Sequence, residues 1–111
     1  MGIALFKLSE FEKSIKILNE AIARKVDFAE AHSDKGNALL RLGQYEFALT
    51  SYDQAISFKP DYAEAYSNKA TALVELRKYE EALVCCDVAI RLRPEYAEAY
   101  SNRASALMNT N

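Results

Sequence analysis

The sequence is short of the residues that carry most catalytic and metal chemistry. Among 111 residues there is one His, two Cys and no Trp. The two Cys are neighbours, Cys85 and Cys86, an awkward geometry for a disulfide and no spaced metal-ligand motif. On one helix they point about 100° apart and have no nearby His, so they read as small apolar fillers. Neither G-x-x-x-x-G-K-S/T nor G-x-G-x-x-G occurs, which removes support for a phosphate loop. No paired acid–base arrangement stands out. These absences speak against an enzyme, a metal site and a bound cofactor.

Charge of one sign is missing too. Fourteen basic side chains stand against 16 acidic ones, a net charge of −2, so there is no broad basic field for nucleic acid. No apolar run approaches the ~20 residues of a membrane span. The start, Met1-Gly2-Ile3-Ala4-Leu5-Phe6-Lys7, lacks the apolar core and cleavage site of a secretory signal. Phe6 stands where myristoylation of Gly2 wants Ser or Thr. The expectation is a cytoplasmic protein that engages neither nucleic acid nor membrane. Only 3 Gly and 2 Pro interrupt a chain that is 50% hydrophobic and 27% charged, which points to helices.

What is present in abundance is repetition. Residues 29–62 laid over 63–96 match without a gap at 34 residues, with 17 identities, including Ala29/Ala63, Leu39/Leu73, Tyr45/Tyr79, Ala48/Ala82, Asp53/Asp87 and Pro60/Pro94. Ala97-Glu98-Ala99-Tyr100-Ser101-Asn102 repeats Ala63-Glu64-Ala65-Tyr66-Ser67-Asn68 letter for letter, and Gly2, Leu5, Leu8, Phe11 and Ala21 continue the register upstream. Each unit reads as two helices. Ala31, Ala38, Leu39 and Leu42 recur at helical spacing in the first; Tyr45, Ala48, Leu49, Tyr52, Ala55 and Ile56 form a stripe in the second. Gly43-Gln44 supplies the turn between them, and Arg77-Lys78 fills the same turn one unit later at some strain. Pro60 and Pro94 stop the second helices.

These residues resemble the tetratricopeptide repeat family, whose pattern is W-x-x-L-G-x-x-Y, then A-x-x-x-F, then P. His32, Tyr66 and Tyr100 take the large aromatic column, and Gly36, Ala70 and Ala104 the small column that lets helices approach. Leu39, Leu73 and Leu107 follow, then Ala48 and Ala82, Tyr52 and Cys86, and Pro60 and Pro94. Lys35, Lys69 and Arg103 depart from the family's Leu; their stems are expected to cover apolar surface while the charges reach water. The resemblance implies an all-α fold, a right-handed superhelical solenoid of antiparallel helix-turn-helix hairpins with about three 34-residue repeats. The units would be a truncated repeat at 1–28, repeats at 29–62 and 63–96, and a first helix at 97–111. Terminal helices without partners suggest a homodimer or an end-to-end oligomer.

In this family the first helix of each unit lines the concave face. By resemblance the displayed columns are Glu30/Glu64/Glu98, Ser33/Ser67/Ser101, Asp34/Asn68/Asn102, Asn37/Thr71/Ser105, Leu40/Val74/Met108 and Arg41/Glu75/Asn109. The peptide-binding candidates are Asp34, Asn37, Leu40, Arg41, Asn68, Thr71, Val74, Glu75, Asn102 and Ser105. An Asn amide donates and accepts at once, which suits a peptide backbone. Asn68 and Asn102, with Asp34 ahead, are similar to the asparagine ladder of the O-GlcNAc transferase repeat domain, although a carboxylate cannot donate as the ladder requires. The carboxylate clamp for chaperone tails fits poorly: its Lys, Asn, Asn, Lys and Arg places hold Ser33, Asn37, Asn68, Glu98 and Asn102. The expected function is a non-enzymatic adaptor holding an extended peptide or helix of another protein. The alternatives are a substrate-recognition piece of a larger enzyme such as a glycosyltransferase, and a self-assembling structural module.

Overall fold

The computed structural model describes residues 10–19 and 29–110, all of whose regular elements are helices. The described part of α1 covers residues 10–19. It is followed by α2 (Ala29–Arg41), α3 (Tyr45–Phe58), α4 (Ala63–Glu75), α5 (Tyr79–Leu92) and α6 (Ala97–Asn109). α4 and α6 start at Ala63 and Ala97, one period apart. The expected register of Gly2, Leu5, Leu8 and Ala21 lies outside the described residues.

Local chemistry sets the ends. After α2 the chain turns through Gly43 at φ +76°, with the Gly43 N–H on the Leu40 carbonyl at 3.0 Å and the Gln44 N–H on Leu39 at 2.9 Å. That is a Schellman closure, which satisfies carbonyls the helix end would leave bare. The same closure follows α4, with Arg77 on Val74 and Lys78 on Leu73, but the left-handed position there is Arg77 at φ +62°. The strain expected at this turn is present. At the other end of each hairpin, Lys59 and Arg93 precede Pro60 and Pro94 and take the extended conformations proline imposes on its predecessor, near φ −137° and −139°. Tyr62 then donates its N–H to the Lys59 carbonyl and Tyr96 donates to Arg93, closing turns into α4 and α6. Lys59 and Arg93 fold back over the Tyr62 and Tyr96 rings, 4.8 and 4.6 Å from their centroids.

The core consists largely of alanine, which brings helices close with little side-chain entropy lost. Ala48, Ala55, Ala65, Ala70, Ala72, Ala82 and Ala89 are buried around Tyr52, Leu73 and Cys86. His32 is buried and stacks on Phe58, centroids 5.5 Å apart, as a packing residue does. Both Cys are buried and reduced, and burial pushes both thiols up. Two of the three charged departures from the family's Leu form ion pairs between units: Lys69 Nζ lies 2.7 Å from Asp53 and Arg103 Nε 3.3 Å from Asp87. Three members of the expected packing columns behave otherwise on α6. Tyr100, Ala104 and Leu107 are exposed, because among the described residues no helix packs beyond that face.

Candidate functional site

The helices α2, α4 and α6 lie side by side and border an open groove of about 470 Å³. Asn37, Leu40 and Arg41 line it from α2, Glu64, Asn68, Thr71 and Glu75 from α4, and Glu98 from α6, with Tyr45 of α3 at one edge. Six of the ten sequence candidates therefore meet in one groove. Asp34 faces a neighbouring apolar groove between α2 and α1, beside Phe11, Ile17 and Leu18, which also reaches Asn37 and Arg41. Val74 is half-buried against the core around Leu73 and Cys86, Ser105 is exposed on α6, and Asn102 reaches back toward α4.

Hydrogen bonds fix the polar floor. The Tyr52 hydroxyl donates to Asn37 Oδ1 at 2.6 Å, and Asn68 Nδ2 donates to the same oxygen at 3.0 Å. One repeat later Asn102 Nδ2 donates to Thr71 Oγ1 at 2.9 Å and to the Ser67 carbonyl at 3.0 Å. Both side-chain bridges span 31 residues and tie each first helix to the one before it. The asparagine column thus spends three of its four amide N–H donors inside the protein, one from Asn68 and two from Asn102. The hydrogen bonds among the described residues leave Asn37 Nδ2 free to donate and Asn68 Oδ1 free to accept, both at the groove.

The serine column needs correction. Ser33 and Ser67 were expected on display, yet they are 2% and 0% exposed. The phenols of Tyr62 and Tyr96, each leading into the next first helix, sit beside them. Ser101 is exposed. Tyr45, Glu64 and Glu98 also line the groove and lie outside the ten sequence candidates. The two glutamates were visible as a repeating column, and that recurrence was the available signal.

Charge converges on the floor. Burial pushes the Tyr52 phenol well above the usual tyrosine range; Arg41 opposes this, while Glu98 and Glu64 add to it. Burial and then Glu30 raise the Asp34 carboxyl. Among the described residues no three His, Cys, Asp or Glu side chains are grouped to hold a metal ion, and no helix is long and apolar enough to cross a membrane.

Stacked antiparallel helix pairs, a 34-residue period and a groove along the first helices define an all-α helical-repeat solenoid. Residues 36–77 match the model described as TPR repeat and residues 63–96 the model described as tetratricopeptide repeat. The chain belongs to the tetratricopeptide repeat family. No curated protein sequence matches it. Among solved structures it is similar to the TPR2B domain of yeast Sti1 in complex with pHsp70, with 26% identity, 96% of this chain and 90% of that one covered, and a TM-score of 0.85. The second TPR domain of human RPAP3, solved with the HSP70 peptide SGPTIEEVD, is 25% identical over 96% and 88% of the two chains, with a TM-score of 0.86. The first TPR of Spaghetti (RPAP3), bound to the HSP90 peptide SRMEEVD, has a TM-score of 0.88 over 96% and 85%; at 21% identity it speaks to the fold alone.

Proposed function

We propose that this chain is a non-enzymatic adaptor that holds an extended peptide of another protein along the face formed by α2, α4 and α6. The observation that carries this reading is the pair of uncommitted amide groups at the groove, Asn37 Nδ2 and Asn68 Oδ1, held in place by bonds to Tyr52 and to each other. A fixed donor beside a fixed acceptor matches a peptide C=O and N–H at little ordering cost. The Sti1 and RPAP3 domains, solved with chaperone peptides, support the same mode of work. On this reading the binding units are residues 29–62 and 63–96, with partial units at 1–28 and 97–111, and Asn37, Leu40, Arg41, Asn68, Thr71 and Glu75 contact the ligand.

Selection from a random peptide library on the purified chain tests it, with Asn68→Ala as counter-screen. An enriched motif lost in the variant, whose helical circular dichroism stays unchanged, is the expected result. Enrichment that survives the substitution, or none at all, would sink the proposal.

A second reading, self-association, has its own observation. Tyr100, Ala104, Leu107 and Met108 share one face of α6 by helical spacing and are all exposed, Met108 to 82%. A monomeric mass at high protein concentration removes this reading.

A further inference from the structure

We propose that the occupant of the groove is a cationic peptide, an extended segment whose Lys or Arg side chains meet Glu64, Glu75 and Glu98 while Asn37 and Asn68 hold its backbone. The inference rests on the peptide-adaptor reading and adds the chemistry of the partner.

Charge is sorted by face on these helices. Lys69 of α4 and Arg103 of α6 turn away from the groove and pair with Asp53 of α3 and Asp87 of α5. The carboxylates of the same two helices line the groove, and among the described residues none of Glu64, Glu75 and Glu98 is ion-paired. Against these three stands one lining cation, Arg41, at the last residue of α2. The cations of α4 and α6 at these positions, Lys69 and Arg103, are thus committed elsewhere.

Helix stability explains only part of this arrangement. Glu64 and Glu98 lie in first turns, where the macrodipole favours a negative charge. Glu75 is the last residue of α4, where the dipole opposes it, and α2 carries Arg41 at the corresponding place. A carboxylate kept where its helix disfavours it, on the wall of a groove, is accounted for by what the groove receives. Glu98 and Glu64 also lie near enough to the Tyr52 phenol to add to the rise that its burial causes.

The same geometry argues against an acidic tail. At the cation places of the carboxylate clamp, Ser33 is buried, Glu98 lines the groove, and the Asn102 amide is bonded to Thr71 and Ser67. A carboxylate-rich peptide would meet like charge with no clamp to offset it.

Fluorescence anisotropy with three labelled peptides of equal length, alternating Lys–Ala, Glu–Ala and Gln–Ala, decides the matter. The Lys–Ala peptide is expected to bind at least about tenfold more tightly than the Glu–Ala peptide and to weaken as salt rises. Glu64→Gln with Glu98→Gln should remove most of that preference, while Glu80→Gln with Glu81→Gln on α5, off the groove, should leave it. Equal or tighter binding of the Glu–Ala peptide, lost in Asn68→Ala, overturns the charge inference and leaves the adaptor reading standing. A Lys–Ala preference indifferent to the groove variants overturns it as general surface attraction. Binding of none of the three overturns it too, and if the library also yields no motif the adaptor reading falls with it.

Discussion

The Tyr52 ring occupies the space a side chain on Gly36 would need. A Cβ built on Gly36 lies 2.6 Å from Tyr52 Cε1 and 2.8 Å from Cδ1, inside any real contact distance. One repeat later the same two positions hold Ala70 and Cys86, both fully buried. The pair Gly–Tyr has become Ala–Cys, so a methyl gained on the first helix is offset by a smaller residue on the second. Close packing makes such positions interdependent.

Gly36→Ala is therefore expected to destabilise the chain by about 1–3 kcal/mol through overpacking. This runs against the gain of about 1 kcal/mol that helix propensity alone predicts. Chemical denaturation reads the sign. A double-mutant cycle with Tyr52→Cys should show coupling of at least about 0.5 kcal/mol, since the second repeat's pair is then installed in the first. Strict additivity would remove the idea of a compensated pair.

The two hairpin turns offer a cleaner comparison. Gly43 and Arg77 both take positive φ, at +76° and +62°, in the same Schellman geometry. Nothing lies within 4 Å of a Cβ at Gly43, so steric space does not confuse the test there. A left-handed conformation costs a non-glycine residue roughly 1–2 kcal/mol. Gly43→Arg should cost about 1 kcal/mol and Arg77→Gly should stabilise by somewhat less, because glycine also loosens the unfolded chain. Thermal unfolding of the two variants should move in opposite directions; a shared direction would show that the turn conformation is not what the residues set.

The fold was legible because a 34-residue unit repeats its own punctuation. Pro60 and Pro94, the turn at Gly43, and the alanine stripes gave the two-helix unit and the family. The site was legible only in outline. A helix wheel shows which residues share a face, but not what packs against that face: Ser33 and Ser67, which the column pattern puts on display, are buried, with the Tyr62 and Tyr96 phenols beside them. Nor does a column of asparagines reveal that most of its donors are spent between helices. That depends on a hydroxyl from Tyr52 arriving at Asn37, and on Asn68 finding the same oxygen.

That shared oxygen gives the third prediction. Tyr52→Phe keeps the ring against Gly36 and removes one of the two donors to Asn37 Oδ1. The expected loss is about 1 kcal/mol, the net worth of one hydrogen bond, because the Asn68 amide still satisfies the acceptor. If the floor positions a ligand, the affinity of any selected peptide should fall as well, since Asn37 is then held from one side only. A variant of wild-type stability with wild-type affinity would show the Tyr52–Asn37 bond to be incidental.

Alkaline pH should unfold the protein earlier than exposed thiols would suggest. Burial, reinforced by Cys85 and Asp87 and opposed by Arg103, pushes the Cys86 thiol from its ordinary 9.0 to about 11, and burial raises Cys85 too. The neutral thiol is the form the fold favours. Below pH 9.0 both folded and unfolded thiols hold their protons and stability is unaffected; above it the unfolded chain ionises first, so stability falls as pH rises toward about 11. Buried Tyr52 extends the fall to higher pH, as its phenol is also raised. Denaturation midpoints followed across this range should decline, and Cys86→Ala should flatten the decline even though it lowers the starting value. An equal slope in the variant would mean that the Cys86 thiol ionises alike in the folded and unfolded chain, and that its burial is not what keeps it protonated.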